Sequence, residues 1–171
     1  LGGEFTPIKS IIFDAFNKIE QLYASKGSIT GLSTGFKDLD RLTSGLQPSD
    51  LILIAARPSM GKTAFVLTMA RNMAVEHNIP VAFFSLEMSS LQLVKRLMIS
   101  ETGLPADKIK GGKKLEDYEW TQINTRLAQL IKAPLYIDDT PSLSIYELRS
   151  KARRLVLNAG VKAIVIDYLQ L

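Results

Sequence analysis

The chain has no cysteine, one histidine and one tryptophan in 171 residues. Without cysteine, a disulfide framework and a thiolate metal site are excluded, and a cytoplasmic setting is compatible. No apolar run approaches the roughly 20 residues of a membrane helix, and the first residues do not carry the pattern of a secretory signal. Charge is nearly balanced: 21 Lys and Arg against 17 Asp and Glu leave +4. That excess permits a polyanionic partner without demanding one. Internal repeats and low-complexity segments are missing too. What is there, 46% apolar and 22% charged residues, suits one globular domain with a sizeable core. The first residue is Leu1 rather than Met, so the chain is expected to be a fragment at that end.

The most informative segment is Ala56, Arg57, Pro58, Ser59, Met60, Gly61, Lys62 and Thr63, which follows the apolar run Leu51-Ile52-Leu53-Ile54-Ala55. This order predicts a buried strand at 51–56, a tight loop, and a helix opened by Gly61, Lys62 and Thr63. It is the arrangement of the phosphate-binding loop of a nucleoside triphosphatase. Successive backbone N–H groups line an anion-binding concavity at a helix N-terminus, where the helix dipole favours negative charge. Gly61 lets the backbone approach the phosphates with no Cβ in the way. Lys62 can reach the β- and γ-phosphates, and the Thr63 hydroxyl can hold Mg²⁺. Ala56 stands where the usual pattern has Gly, and it is the smallest replacement. A chance Gly-Lys-Thr in a turn would lack the flanking strand and helix.

Two acids complete the candidate site. Ala163-Ile164-Val165-Ile166-Asp167 reads as a buried strand ending in a carboxylate, suited to hold the Mg²⁺ shell opposite a phosphate loop. Alone, such an Asp would as readily cap a turn. Hydrolysis also needs a group to orient or deprotonate water. Tyr168 follows Asp167, so the base is sought elsewhere, and Glu87 ends the apolar strand Val81-Ala82-Phe83-Phe84 just before a helix start. Its alternative role is to favour the helix dipole from the first turn.

The rest of the chain supplies a frame. Ile8, Ile11, Ile12, Ala15, Phe16, Ile19, Leu22 and Tyr23 form one stripe of a helix over 7–24, with Pro7 at its start and Gly27 as its stop. It is read equally as the first core helix or as a docking helix for another subunit, joined by a turn-rich linker from Gly27 to Gly35. From Asp50 the rhythm alternates. Strands are expected at 51–56, 81–86, 134–138 and 162–167, and helices at 62–76, 89–103, 115–131 and 144–158. Such alternation gives a parallel sheet with helices on both faces and ligands at the carboxyl ends of strands. Lys108, Lys110, Lys113 and Lys114 read as a basic, mobile, solvated loop, with phosphate-backbone contact as the alternative. Arg149, Lys151, Arg153 and Arg154 read as a solvated or subunit-facing helix surface rather than a catalytic arginine finger. His77 reads as structural, and Asp138-Asp139-Thr140-Pro141, after a strand at the same sheet edge as the site, as a turn and cap for the next helix, with a site role as the lesser alternative.

Taken with Phe84-Ser85-Leu86-Glu87-Met88-Ser89, Tyr136-Ile137-Asp138-Asp139-Thr140-Pro141, Ile164 to Leu171, and Thr34-Gly35-Phe36-Lys37-Asp38-Leu39-Asp40, these segments resemble the C-terminal motor domain of bacterial DnaB-type replicative DNA helicases. Ala56 is usual in that family. The resemblance implies a RecA-like α/β fold, with a mostly parallel twisted sheet flanked by helices. A linker helix would occupy 1–28, and the first portion of the ATPase core 29–171. It also implies a ring-shaped homo-hexamer that hydrolyses ATP with Mg²⁺ to move on single-stranded DNA and unwind duplex. Primase, a helicase loader and a cytoplasmic location come with it. Carried over are Lys62 and Thr63 for phosphate and metal, Asp167 for Mg²⁺ and Glu87 as the catalytic glutamate. The chain stops four residues past Asp167. The main DNA contacts and the arginine finger are therefore expected beyond residue 171, and the isolated chain is expected to be poorly active. A recombinase or clock-type ATPase of the same fold would lack the Phe84 to Ser89 phrase. A non-catalytic nucleotide-binding assembly module would have no need of Glu87, and a kinase would need an acceptor pocket.

Overall fold

The computed structural model describes residues 5–24 and 29–168. Gly27 and the last three residues of the Ile164 to Leu171 phrase lie outside the described residues.

Helix α1 (Ile8–Ala24) follows Pro7 as expected, and none of its residues is buried. Helix α2 (Lys37–Thr43) comes next, and helix α3 (Lys62–Arg71) starts directly after the phosphate-loop segment. The last turn of α3 widens into a π turn, Asn72–Glu76. Strand β1 (Val81–Ser85), helix α4 (Ser90–Thr102), the short helix α5 (Ala106–Ile109) and helix α6 (Asp117–Lys132) follow. Strand β2 (Leu135–Asp138), helix α7 (Ile145–Ala159) and strand β3 (Ala163–Asp167) complete the described chain. The longer helices fall within two residues of their expected bounds because their ends are written in the sequence. Ser89 with Gln92, and Ser144 with Glu147, close reciprocal capping boxes on α4 and α7. Gly103 and Gly160 end those helices in the left-handed conformation, which Gly adopts without strain.

The strands form one parallel sheet in the order β2-β1-β3. All five residues of β1 are buried, as a central strand covered on both faces requires. Val81 and Phe83 face α3 and α4 in one core cluster, while Ala82 and Phe84 face Leu148 and Ala152 of α7 in a second. The connections β1→β2 and β2→β3 travel in opposite directions across the sheet. Crossovers of a single hand must then use opposite faces, which is how α4–α6 and α7 are distributed.

One expected strand is not formed. Residues 51–57 have no ladder partner among the described residues, and Leu51 and Leu53 are 87% and 81% exposed. A strand exists through hydrogen bonds to a neighbour. Both edges of β1 are taken by β2 and β3, and the 51–55 run forms no ladder with the outer edge of either among the described residues. An apolar run signals a need for burial but does not specify a ladder partner.

The segment before α3 is tied down by polar groups. Buried Asp40 accepts hydrogen bonds from the Thr34 N–H, the Thr34 hydroxyl and the Ser33 hydroxyl. Asn72, buried where α3 passes into the π turn, donates to the Thr34 carbonyl at 3.1 Å. A Cβ at Gly35 would meet that Asn72 side chain at 2.3 Å, and Gly35 has φ +79°, so only Gly fits there.

Two basic groups read as solvated are partly engaged. Lys108 lies on α5 and pairs with both carboxylate oxygens of buried Glu119 at 2.6 and 2.7 Å, and Lys113 pairs with Asp107 at 2.7 Å. On α7, Arg149, Arg153 and Arg154 are exposed, but Lys151 reaches back to Asp138 at 2.6 Å and to the Thr140 hydroxyl at 2.9 Å. Asp138 therefore fastens the end of β2 to α7, and Ser144 does the capping that the Asp138 turn was expected to do.

Burial pushes the Asp138 carboxyl up, but the hydrogen bonds from Lys151 and Thr140 and the Lys151 charge outweigh it and hold the group at about 2. The folded value lies below the ordinary 3.8. Its stabilising contribution is therefore present above pH ~4 and is lost as pH falls towards ~2. Lys151→Met should return Asp138 towards the usual carboxylate range and start acid unfolding at a higher pH. The contribution should be about 1 kcal/mol after solvent screening, and a carboxyl NMR titration of both proteins measures it. An unchanged Asp138 titration would contradict the pairing.

Candidate nucleotide site

The site assembles where the first turn of α3 meets the end of β3. Gly61, with φ +88°, is the residue before α3, and its carbonyl accepts the Phe65 N–H at 2.9 Å. Ser59 is also left-handed, at φ +62°, and the Met60 N–H bonds the Arg57 carbonyl at 3.3 Å. The loop thus curls back on itself before the helix opens. Ala56, Arg57, Pro58, Ser59 and Met60 are exposed along it.

The helix then presents Lys62 and Thr63 to Asp167. The Thr63 hydroxyl donates to Asp167 Oδ2 at 2.7 Å, and Lys62 Nζ lies 3.6 Å from Asp167 Oδ1. Asp167 is 2% exposed, so its charge is met by protein groups rather than water. Lys62 also sits 3.9 Å from the centroid of the Tyr168 ring, a cation–π contact that its residue type did not announce. Hydroxyl and carboxylate oxygens are the hard donors that suit Mg²⁺. A Thr63 hydroxyl whose proton is given to Asp167 keeps its lone pairs for a cation.

Glu87 stands beside this pair without touching it. Ser85 is in register with Asp167, and the Leu86 N–H bonds the Asp167 carbonyl at 2.8 Å, carrying the ladder one residue past β1. Glu87 follows at the carboxyl end of the neighbouring strand. It is exposed, with no hydrogen bond or ion pair among the described residues. Lys62, Thr63 and Asp167 are thus brought together, Glu87 is brought alongside, and His77 lies exposed at the far end of the π turn. A groove of about 560 Å³ lies away from this site, between the π turn and the end of α6. Its Arg71 is already engaged by Glu101 and Glu76. The contacts that residue spacing missed join distant positions, Lys151 to Asp138 and Asp139 to the Ser90 N–H.

The DnaB-like helicase C-terminal domain model matches residues 31–171. The chain is 48% identical over 169 residues to the replicative DNA helicase DnaB of Geobacillus stearothermophilus, covering 99% of this chain and 37% of that protein. It is 45% identical over 167 residues to the replicative DNA helicase DnaC of Bacillus subtilis, covering 98% and 37%. The chain thus spans less than two-fifths of the length of these relatives. Among solved structures it resembles an ATPase domain with a TM-score of 0.85 at 33% identity, covering 97% of this chain and 58% of that one. It also resembles a DnaB-like replicative helicase described with its interactions with primase, with a TM-score of 0.80 at 31% identity, covering 95% and 42%. The parallel sheet flanked by helices, the helix-borne Lys62 and Thr63 against Asp167, and these likenesses agree: the chain belongs to the DnaB-like helicase C-terminal domain family, with its RecA-like α/β fold.

Proposed function

We propose that this chain carries the nucleotide pocket of a replicative DNA helicase motor, which hydrolyses ATP to move along single-stranded DNA. The observation that carries this reading is the Lys62, Thr63 and Asp167 cluster, with Glu87 on the adjacent strand end. In it, residues 56–63 receive the phosphates and Lys62 balances their β- and γ-charge. Thr63 and Asp167 would hold Mg²⁺, which when bound neutralises charge on the phosphate oxygens. Glu87 takes the proton of the attacking water as its oxygen bonds to the γ-phosphorus and ADP leaves with the bonding electron pair. An exposed acid with no internal partner is free to accept that proton.

Replacing Lys62 and Glu87 separates binding from chemistry. Lys62→Ala should weaken a non-hydrolysable ATP analogue with Mg²⁺ by about ten- to a hundredfold, the worth of a charge-assisted contact. Equal calorimetric affinity of variant and parent would sink the site. In this chain continued to the length of its relatives, Glu87→Gln should keep ATP affinity and lose about 10²–10⁴-fold in turnover. Turnover near the parent's would leave a nucleotide-binding module without Glu87 as base.

The assembly reading assigns α1, within 1–28, to linker and docking, and 29–171 to the core. It rests on the exposure of Ile8, Ile12, Phe16, Ile19 and Tyr23 along a helix with no buried residue. Such side chains contribute about 1.5–3 kcal/mol each when buried, so a neighbouring subunit of a homo-hexamer is their proposed seat. The proposal extends to a cytoplasmic protein that meets primase and a loader, and that grips DNA mainly beyond residue 171. Deleting residues 1–26 from the continued chain should lower the oligomer mass in sedimentation while the core stays folded. A hexamer of unchanged mass would contradict the docking role.

A further inference from the structure

Glu87 has no partner among the described residues, yet the turn that carries it is held at three points. Behind it, the Leu86 N–H bonds the Asp167 carbonyl at 2.8 Å. Beneath it, the buried Ser85 hydroxyl donates to the Met88 carbonyl at 2.7 Å and accepts the Met88 N–H at 3.2 Å. Ahead of it, the Ser90 N–H donates to Asp139 Oδ2 at 2.6 Å. The first two points belong to the end of β1, one through the neighbouring strand β3 and one through its own Ser85. The third comes from a different strand end. Phe84 pairs with Asp138 on one side and Ile166 on the other, so Asp139 stands level with Ser85 and Asp167 across the sheet.

The Asp139 bond is not needed to cap α4. Ser89 already accepts the Gln92 N–H, and Gln92 returns the bond to the Ser89 N–H, so the helix has its own local cap. Asp139 adds a tether from outside. It sits in a turn that is itself hydrogen-bonded on both sides. Asp138 Oδ1 accepts the Thr140 N–H at 2.9 Å, and Lys151 of α7 holds both Asp138 and Thr140. The turn after β2 is therefore a strut from α7, on one face of the sheet, to the start of α4, on the other.

We propose that Asp139 is a positioning residue for Glu87, fixing through the Ser90 N–H the turn that aims this carboxylate at the water attacking ATP. This rests on the reading of Glu87 as the base. Misplacement of a reacting group by about 1 Å can cost up to 10²-fold in rate, while substrate binding is made by other residues. In the continued chain, Asp139→Ala should lower kcat for ATP about tenfold and leave KM within about twofold. Asp139→Asn keeps an oxygen acceptor and should restore most of kcat. Ser90→Pro removes the donor instead. Proline is tolerated at the first position of a helix, and Ser89 is already extended, at φ −68° and ψ 152°. It should lower kcat as Asp139→Ala does, and it serves should Asp139→Ala fail to fold.

A residue acting through Glu87 has nothing to act on once Glu87 is silenced. Asp139→Ala should therefore cost no further turnover in the Glu87→Gln background. Parent-like kcat in Asp139→Ala and Ser90→Pro, or an undiminished further loss in the Glu87→Gln background, overturns the inference while Glu87 keeps its role. Full turnover in Glu87→Gln alone overturns the reading of Glu87 and this inference with it.

Discussion

One hydrogen bond joins the two parts of the site, from the Thr63 hydroxyl to the buried carboxylate of Asp167 across 104 residues of chain. Everything at the pocket is placed relative to it. Asp167 belongs to the sheet through β3, and Thr63 belongs to α3, whose apolar side is sunk into the core beneath Phe83. A buried carboxylate is tolerated only when its charge is answered. Here an ammonium and a hydroxyl answer it, and both come from the first turn of one helix. The 51–57 segment contributes no ladder hydrogen bond to this arrangement among the described residues. The helix is seated by its own packing and by Asp167.

The parts of the site that were legible in the sequence are those encoded locally. Gly61, Lys62 and Thr63 are consecutive, and their spacing alone says that a helix opens there. Asp167 announces itself as the polar end of an apolar run, and Glu87 does the same for β1. Capping pairs such as Ser89 with Gln92 also lie within four residues, so helix bounds were readable. The seven residues of α2 and the four of α5 are too short to show a period, so the sequence announces neither.

What was not legible depends on which distant groups meet. The run at 51–55 has every mark of a buried strand except a partner, and composition cannot supply one. Asp138 and Asp139 form a polar pair before a helix, which is the local signature of a cap. The actual cap is Ser144, five residues beyond Asp139, and the two acids turn instead to Lys151 and Ser90. Lys151 sits in a row of cations that looks solvated, and only the return of α7 over the sheet separates it from Arg149, Arg153 and Arg154. Electrostatic choices of this kind are settled by tertiary distance.

The π turn at Asn72–Glu76 bears on how this backbone can change in length. A π turn holds one more residue than the α turn it replaces, so it behaves as an insertion stored within a helix. Removing one residue there would convert the turn to ordinary α geometry and leave Lys62 and Thr63 in phase with Asp167. Removing one residue between Thr63 and Arg71 would rotate the helix by about 100° and swing the inward face of α3 away from Phe83. The far end of α3 is thus the place where the chain can absorb a deletion, and the end at the pocket is where it cannot.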